Sequence, residues 1–165
     1  MSQKMQMSLD VNGETHTLIV EPRTTLADAL REECGLTGTR TGCEEGVCGT
    51  CTVLVDGEPV RSCLQFAVQA HGREVTTIEG LTGRDVMKAL QDAMAENFAV
   101  QCGYCTAGFL MLAAGALSRQ PDMDDEALTG LVSANLCRCT GYQPILKAIR
   151  QAQATVQATV RAQAR

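Results

Sequence analysis

Eight of the nine cysteines in this 165-residue chain fall into two groups of four. The first group has the spacing C-x4-C-x2-C-x11-C and consists of Cys43, Cys48, Cys51 and Cys63. The second has the spacing C-x2-C-x31-C-x1-C and consists of Cys102, Cys105, Cys137 and Cys139. Thiolates are soft, anionic ligands suited to iron with bridging sulfide. Two such sets predict two one-electron centres, and therefore a role in electron transfer.

The first group has the spacing of a plant-type [2Fe–2S] centre, with three ligands on one loop and the fourth beyond a hairpin. Three glycines lie among these cysteines, namely Gly42, Gly46 and Gly49. A loop wrapped around a cluster needs unusual φ values and brings backbone N–H groups close to sulfur, which raises the reduction potential. Structural zinc is the alternative, because Cys48 and Cys51 could form half of a zinc knuckle. Cys43 suits zinc poorly, since zinc prefers two separated C-x2-C pairs.

The second group lies at the boundaries of predicted helices. Cys105 precedes one helix and Cys139 precedes another, and helix N-termini stabilise thiolates through free N–H groups and partial positive charge. This spacing is less specific than the first, and zinc remains a real alternative for it. A redox centre in the first group argues against zinc, because that centre would otherwise have no electron partner in the chain.

The composition argues against several classes of protein. The net charge is −5 without a basic stripe, so nucleic-acid binding is not expected. The longest apolar run with helical character, residues 107–117, is too short to span a bilayer. Residues 1–10 lack the apolar segment of a secretory signal, which favours the cytoplasm and argues against a disulfide scaffold. Cys34 lies outside both groups and is interpreted as a free thiol.

The first half of the chain, residues 1–80, is predicted to form a small β-rich domain. Two hairpins are expected, over 7–20 with a turn at Asn12-Gly13 and over 52–60 with a turn at Asp56-Gly57. Both segments alternate apolar and polar residues on either side of a turn that needs positive φ.

A helix is expected between these hairpins, over 26–34, with Thr25 as its N-cap and Gly35 as its end. A short strand is expected over 75–78. The order strand, strand, helix, cysteine loop and strand predicts a β-grasp fold.

Residues 81–165 are predicted to form an all-α domain of four helices, which makes the chain an α+β protein. The first helix is expected over 85–98, and the second runs to about Ser118 with Thr106 as its N-cap. The third runs to about Asn135, with Asp122 as its N-cap in a capping box with Asp125, and the fourth extends from Tyr142 onward.

Four segments of the chain resemble the small iron–sulfur subunits of the molybdenum hydroxylases, the group of xanthine dehydrogenase, aldehyde oxidoreductase and aerobic carbon monoxide dehydrogenase. They are 35–43 (GLTGTRTGC), 46–51 (GVCGTC), 100–106 (VQCGYCT) and 135–143 (NLCRCTGYQ). The resemblance extends from about residue 9 to about residue 149, and the last two segments are highly specific when they occur together.

The resemblance implies a plant-ferredoxin-like domain with one [2Fe–2S] cluster and a four-helix domain with the other. The second cluster would lie nearest a molybdopterin, which Gln101 and Cys139 would contact through hydrogen bonds, and the first would face a flavin. Molybdopterin, in a cytosine dinucleotide form, would belong to a large partner subunit and FAD to a medium one. The resemblance implies a heterotrimer or a dimer of heterotrimers.

The complex implied by the resemblance oxidises an aldehyde, an N-heterocycle, a purine or carbon monoxide with water as the oxygen source. This chain would contribute no catalytic residue and would relay electrons to FAD. Two alternatives stay open at this point: a free-standing two-cluster electron carrier, and a zinc-stabilised adaptor without redox activity. A third variant keeps the fold and reverses the electron flow, as in relatives that reduce an aromatic thioester.

Overall fold

The computed structural model describes residues 3–163, with only the backbone of Gln163, so residues 1–2 and 164–165 of the two expected domains lie outside it. The first half contains a five-stranded mixed sheet in the order β2-β1-β5-β3-β4. Its strands are β1 Met5–Val11, β2 Glu14–Val20, β3 Thr52–Val55, β4 Glu58–Arg61 and β5 Glu74–Thr76. The strands β1 and β5 are parallel and the other neighbours are antiparallel, which confirms the β-grasp expectation.

Both hairpin turns form where the sequence predicts them. Asn12 and Gly13 have φ values of 55° and 84°, and Asp56 and Gly57 have φ values of 51° and 80°. Consecutive residues with positive φ form the tight turn whose twist matches that of the paired strands.

The first helix begins as expected and ends differently. Thr25 caps α1, Leu26–Asp28, because its hydroxyl accepts the N–H of Asp28 at 3.1 Å. The chain then continues as a π-helix over Ala29–Glu33 instead of an α-helix. The reason is the turn at Gly35, whose φ of 71° allows the Leu36 N–H to donate a hydrogen bond to the Leu30 carbonyl. The Cys34 N–H consequently donates to the carbonyl of Ala29, which lies one residue earlier in the chain than the carbonyl that an α-helix would use.

Four α-helices follow the sheet within residues 3–163 and confirm the expected second half. They are α2 Asp85–Glu96, α3 Thr106–Arg119, α4 Asp125–Ser133 and α5 Gln143–Gln163. No helix in this part of the chain is both long and apolar enough to cross a membrane.

Two of the expected helix starts need correction. Thr106 is the first residue of α3 and Cys105 occupies the N-cap position. The cap of α4 is Asp124 and not Asp122, because the Asp124 carboxylate accepts the N–H of Ala127 at 2.8 Å. Asp122 and Asp124 are both suitable N-cap residues, so the packing of the preceding loop decides which of them caps the helix.

Each half of the chain has its own hydrophobic core. One core lies between the sheet and the helical turns above it and includes Leu9, Leu26, Leu30, Val53 and Val75. The other lies among α2–α5 and includes Leu90, Phe109, Met111, Leu117 and Ile145.

The two halves meet where α3 packs against β3 and the loop before it. Arg61 spans this boundary, because its guanidinium donates to the Thr52 hydroxyl and, at 2.6 Å, to the Ala134 carbonyl. A Cβ on Gly108 of α3 would overlap the Gly49 carbonyl oxygen and lie 2.8 Å from the Cα of Thr50. Only glycine therefore allows the backbone of α3 to approach this loop so closely.

Substitution Gly108→Ala is expected to lower the stability of the protein by about 1–3 kcal/mol, because the added methyl group meets backbone atoms that cannot rotate away. Gly130→Ala is the matched control, since Gly130 lies in α4 and a Cβ there would meet nothing within 4 Å. It is expected to stabilise by about 0.4–1 kcal/mol. Thermal unfolding of both variants measures the effect, and a Gly108→Ala protein as stable as Gly130→Ala would contradict this packing.

Candidate iron–sulfur sites

The first four cysteines are positioned by an irregular loop and by the hairpin that follows it. The loop bends around Cys43 through positive φ values at Glu44, Gly46 and Gly49. The Sγ of Cys43 accepts the N–H of Cys48 at 3.3 Å and of Glu45 at 3.4 Å. These two backbone hydrogen bonds lower the pKa of Cys43 to about 7. The loop therefore favours the thiolate form that metal binding requires.

Cys51 and Cys63 form the buried side of the same site. They pack together with Ala27 of α1, and Cys63 follows directly after β4 in a short 3₁₀-helix. Burial, followed by the neighbouring Cys51, raises the pKa of Cys63 to about 11. The charge of Cys43 adds to the rise in the pKa of Cys63, and a side-chain hydrogen bond with Cys48 contributes to the lowered pKa of Cys43. The structure therefore brings together all four cysteines of the first group.

The second four cysteines lie on two segments that lead into helices. Cys102 and Cys105 precede α3, and Cys137 and Cys139 connect α4 to α5. The Sγ atoms of Cys102 and Cys139 are 3.5 Å apart. A backbone hydrogen bond from Tyr104 lowers the pKa of Cys102, whereas the side-chain hydrogen bond to Cys102 raises the pKa of Cys139.

Cys105 and Cys137 complete the second group. Burial, followed by the side chain of Cys137, raises the pKa of Cys105 to about 12. Burial raises the pKa of Cys137, but hydrogen bonds from Thr140 outweigh this effect, so the pKa of this thiol is lowered. The Thr140 Oγ1 lies 3.2 Å from the Cys137 Sγ and also accepts the N–H of Tyr142 at 3.2 Å. The Tyr142 hydroxyl in turn accepts the N–H of Cys137 at 3.1 Å.

A cavity of about 190 Å³ lies between the two groups of cysteines. Its lining includes three cysteines of the second group and one of the first, namely Cys102, Cys105, Cys139 and Cys48. Within residues 3–163, no three His, Cys, Asp or Glu side chains converge on a position for one metal ion. The fit to iron–sulfur clusters therefore rests on the grouped thiols, the cavity and the loop that donates N–H groups to sulfur.

Direct hydrogen bonds join the loop of the first group to both segments of the second. The Leu136 N–H donates to the Cys48 carbonyl at 2.9 Å. The Thr50 hydroxyl donates to the Tyr104 carbonyl at 3.0 Å, and the Tyr104 hydroxyl donates to the Thr41 carbonyl. These contacts between residues 41–50, Tyr104 and residues 135–136 are called the loop seam below. They give the two groups a fixed separation.

The sequence interpretation named the eight cysteines but missed the residues that hold their segments together. Thr140, Tyr142 and Tyr104 all lie within the cysteine-containing motifs, and that proximity was the only available signal. Gln101 and Cys139, expected to contact molybdopterin, are both exposed at the outer side of the second group.

Two four-thiol groups on adjoining halves define the class of two-cluster iron–sulfur proteins, and comparison with known proteins agrees. A 2Fe-2S iron-sulfur cluster binding domain matches residues 9–77, and a [2Fe-2S] binding domain matches residues 77–150. The nicotine 6-hydroxylase small subunit of Paenarthrobacter nicotinovorans is 47% identical over 151 residues, which are 92% of this chain and 91% of the relative.

Two further relatives match over nearly their whole length. Caffeine dehydrogenase subunit gamma of Pseudomonas sp. (strain CBB1) is 49% identical over 154 residues, 92% of each chain. The crystal structure of quinoline 2-oxidoreductase from Pseudomonas putida 86 matches with a TM-score of 0.86 and 48% identity, over 95% of this chain and 98% of that one. The chain belongs to the family of small [2Fe–2S] subunits of molybdenum hydroxylases, and its function is electron transfer within a multi-subunit oxidoreductase.

In protein freed of iron, Cys43 is expected to react with iodoacetamide well before Cys63 at about pH 7.5. The Cys43 pKa of about 7 leaves much of this thiol ionised, whereas Cys63 is buried and has a pKa of about 11. The alkylation rate of Cys43 itself is expected to fall as the pH drops through 7, because its thiolate then takes up a proton. Peptide mapping after brief alkylation measures both rates, and equal rates would contradict the loop geometry.

Proposed function

We propose that Cys43, Cys48, Cys51 and Cys63 bind one [2Fe–2S] cluster and that Cys102, Cys105, Cys137 and Cys139 bind the other. The observation that carries this assignment is the grouping of eight thiols into two fours across the loop seam. Each bound cluster would supply one-electron redox chemistry. The protein's own part is to lower the pKa of Cys43, Cys102 and Cys137, to donate N–H groups to sulfur and to fix the separation of the two sites.

The proposed domains are residues 1–80, which hold the first site, and residues 81–165, which hold the second. The separate hydrophobic cores of the two halves support this division. The compartment proposed is the cytoplasm, since thiol ligands must stay reduced and all nine cysteines are free of disulfides.

Two exposed apolar patches support docking to two different partner subunits. The first-site patch is defined as the exposed apolar residues near the first four cysteines in the sequence, namely Val47, Leu64 and Phe66. The second-site patch is defined as those near the second four in the sequence, namely Phe98, Val100, Tyr104 and Leu136. Leu64 lies directly over Gly46 of the first-site loop. Exposed apolar groups of this kind mark protein–protein interfaces. The proposed partners are a medium FAD-binding subunit at the first-site patch and a large molybdopterin-binding subunit at the second.

Gln101 and Cys139 are proposed to contact the molybdopterin of the large subunit, in its cytosine dinucleotide form. Both residues are exposed beside the second-site patch, so a cofactor in the partner subunit could reach them. The carboxamide of Gln101 offers both donor and acceptor groups to a polar ring edge. The assembly that follows is a heterotrimer or a dimer of heterotrimers.

The proposed reaction of the complex is the oxidative hydroxylation of an N-heterocyclic compound with oxygen from water. The relatives that align over nearly their whole length are named for nicotine, caffeine and quinoline, and each of these compounds contains a nitrogen heterocycle. Electrons would then leave the large subunit through the second site and the first site toward FAD.

Metal analysis and low-temperature EPR of the dithionite-reduced complex test this proposal. The expected result is two distinct [2Fe–2S] signals, about four irons for each small chain as eight thiolates imply, and molybdenum in the same chromatographic peak. Zinc without an EPR signal would contradict the ligand assignment. Iron signals in a chain that purifies without any partner would contradict the relay role and indicate a free-standing carrier.

Substitution Leu64→Asp is expected to release the FAD-binding subunit, and Phe98→Asp the molybdopterin-binding subunit, because each places a charge in an apolar interface. Leu64 is 64% exposed and Phe98 is 84% exposed, so neither change disturbs a core. Ile19→Asp is the control, since Ile19 is 60% exposed on β2, outside both patches.

Size-exclusion chromatography of the co-expressed subunits measures these losses. The Ile19→Asp complex should retain both partners and both clusters. Retention of both partners by the Leu64→Asp and Phe98→Asp proteins would refute the assignment of the patches as docking surfaces.

A further inference from the structure

Asn135 is a buried polar residue that the assigned ligand sets do not use. It lies just after α4 and two residues before Cys137, and 0% of its surface is exposed. Neither the nitrogen nor the oxygen of its carboxamide has a hydrogen-bond partner among the described residues. Buried polar groups in native proteins are nearly always hydrogen-bonded, so a carboxamide with two unpartnered atoms indicates an unseen partner.

The carboxamide reaches out of the second-site segment and into the first-site loop. A Cβ on Gly49 would overlap the Asn135 Oδ1 and lie 2.5 Å from its Cγ. Gly49 stands between Cys48 and Cys51, and its φ of 72° also favours glycine. The adjacent Leu136 N–H, bonded to the Cys48 carbonyl, fixes the segment in this position. The carboxamide is therefore held against the loop that supplies three of the first four thiols.

The nearby protein groups do not satisfy this carboxamide. The guanidinium of Arg61 lies close to this contact, because its Cζ is 3.0 Å from the position that a Cβ on Gly49 would occupy. Its guanidinium instead donates to the Thr52 hydroxyl and to the Ala134 carbonyl. A cluster bound to the first-site loop would bring further acceptors near Gly49, namely its thiolate and sulfide sulfurs. An amide N–H is a suitable donor to them, as it is in other iron–sulfur sites.

We propose that the Asn135 carboxamide donates a hydrogen bond to a sulfur of the first [2Fe–2S] cluster and raises the reduction potential of that cluster. This inference rests on the ligand assignment proposed above. A residue of the helical half would then tune the cluster of the other half, across the loop seam. Hydrogen bonds to sulfur stabilise the more negative, reduced state of a cluster, which gives the direction of the effect.

Potentiometric EPR titration of the assembled complex tests the role of Asn135. The variant Asn135→Leu keeps the volume and removes the donor, so the first cluster should become harder to reduce. At a fixed potential its oxidised-to-reduced ratio should rise about tenfold, which equals about 59 mV for a one-electron couple. The potential of the second cluster should stay the same.

Gln153→Leu provides the matched control. Gln153 also carries a buried carboxamide, 6% exposed, which donates to the Met123 carbonyl at 2.7 Å on the far side of the helical half. Loss of this group should leave both potentials unchanged. Asn135→Asp keeps the shape of the side chain, removes the donor and adds negative charge, so it should lower the first potential further than Asn135→Leu.

Unchanged potentials in an iron-replete Asn135→Leu complex would overturn the proposal, as would a shift confined to the second cluster. Should neither variant assemble, the unaltered complex gives the answer after labelling of asparagine side chains with ¹⁵N. Hyperfine spectroscopy should then show a ¹⁵N coupling on the first-cluster signal, and its absence would overturn the proposal. An unaltered complex without two [2Fe–2S] signals would instead refute the ligand assignment itself.

Discussion

Electron transfer between two metal clusters requires that both stay close and at a fixed distance, and the loop seam is the part of this fold that meets the requirement. The Leu136 N–H donates to the carbonyl of Cys48, so a proposed ligand of the first cluster is bonded directly to the residue that precedes Cys137, a proposed ligand of the second. Gly108 allows α3 to rest on the backbone of the same loop. The sheet of the first half and the helices of the second half position the segments whose contacts form this seam.

Each half of the chain lowers the pKa of part of its cysteines in a different way. The first-site loop bends through positive φ values and aims backbone N–H groups at Cys43. The second site uses the segment before α5, where Thr140 and Tyr142 hold Cys137 through a closed set of hydrogen bonds. In both sites one thiol is left more exposed and another more buried, so each site has an outer and an inner side. The exposed apolar residues to which partner subunits are proposed to dock lie near these cysteines in the sequence.

Local patterns predicted much of this architecture, and contacts between the halves account for the rest. The turn at Asn12-Gly13 was predictable because it depends on two residues alone. The grouping of the cysteines followed from their spacing. The π-helix after Asp28 was not predictable, because it depends on how the turn at Gly35 competes with α-helical hydrogen bonding. The contact of Asn135 with Gly49 was not predictable, because it depends on docking between segments distant in sequence. The use of Asp124 in place of Asp122 as a cap has the same origin.

Two [2Fe–2S] clusters held next to each other by one rigid seam, as proposed, would be magnetically coupled, and that coupling can be measured directly. EPR spectra of the intact complex can be recorded when one cluster is reduced and again when both are reduced. The structure predicts that full reduction splits or broadens both signals, because two unpaired spins then lie on either side of the same loop contacts. Two signals that simply add, with no change in shape on full reduction, would contradict the account.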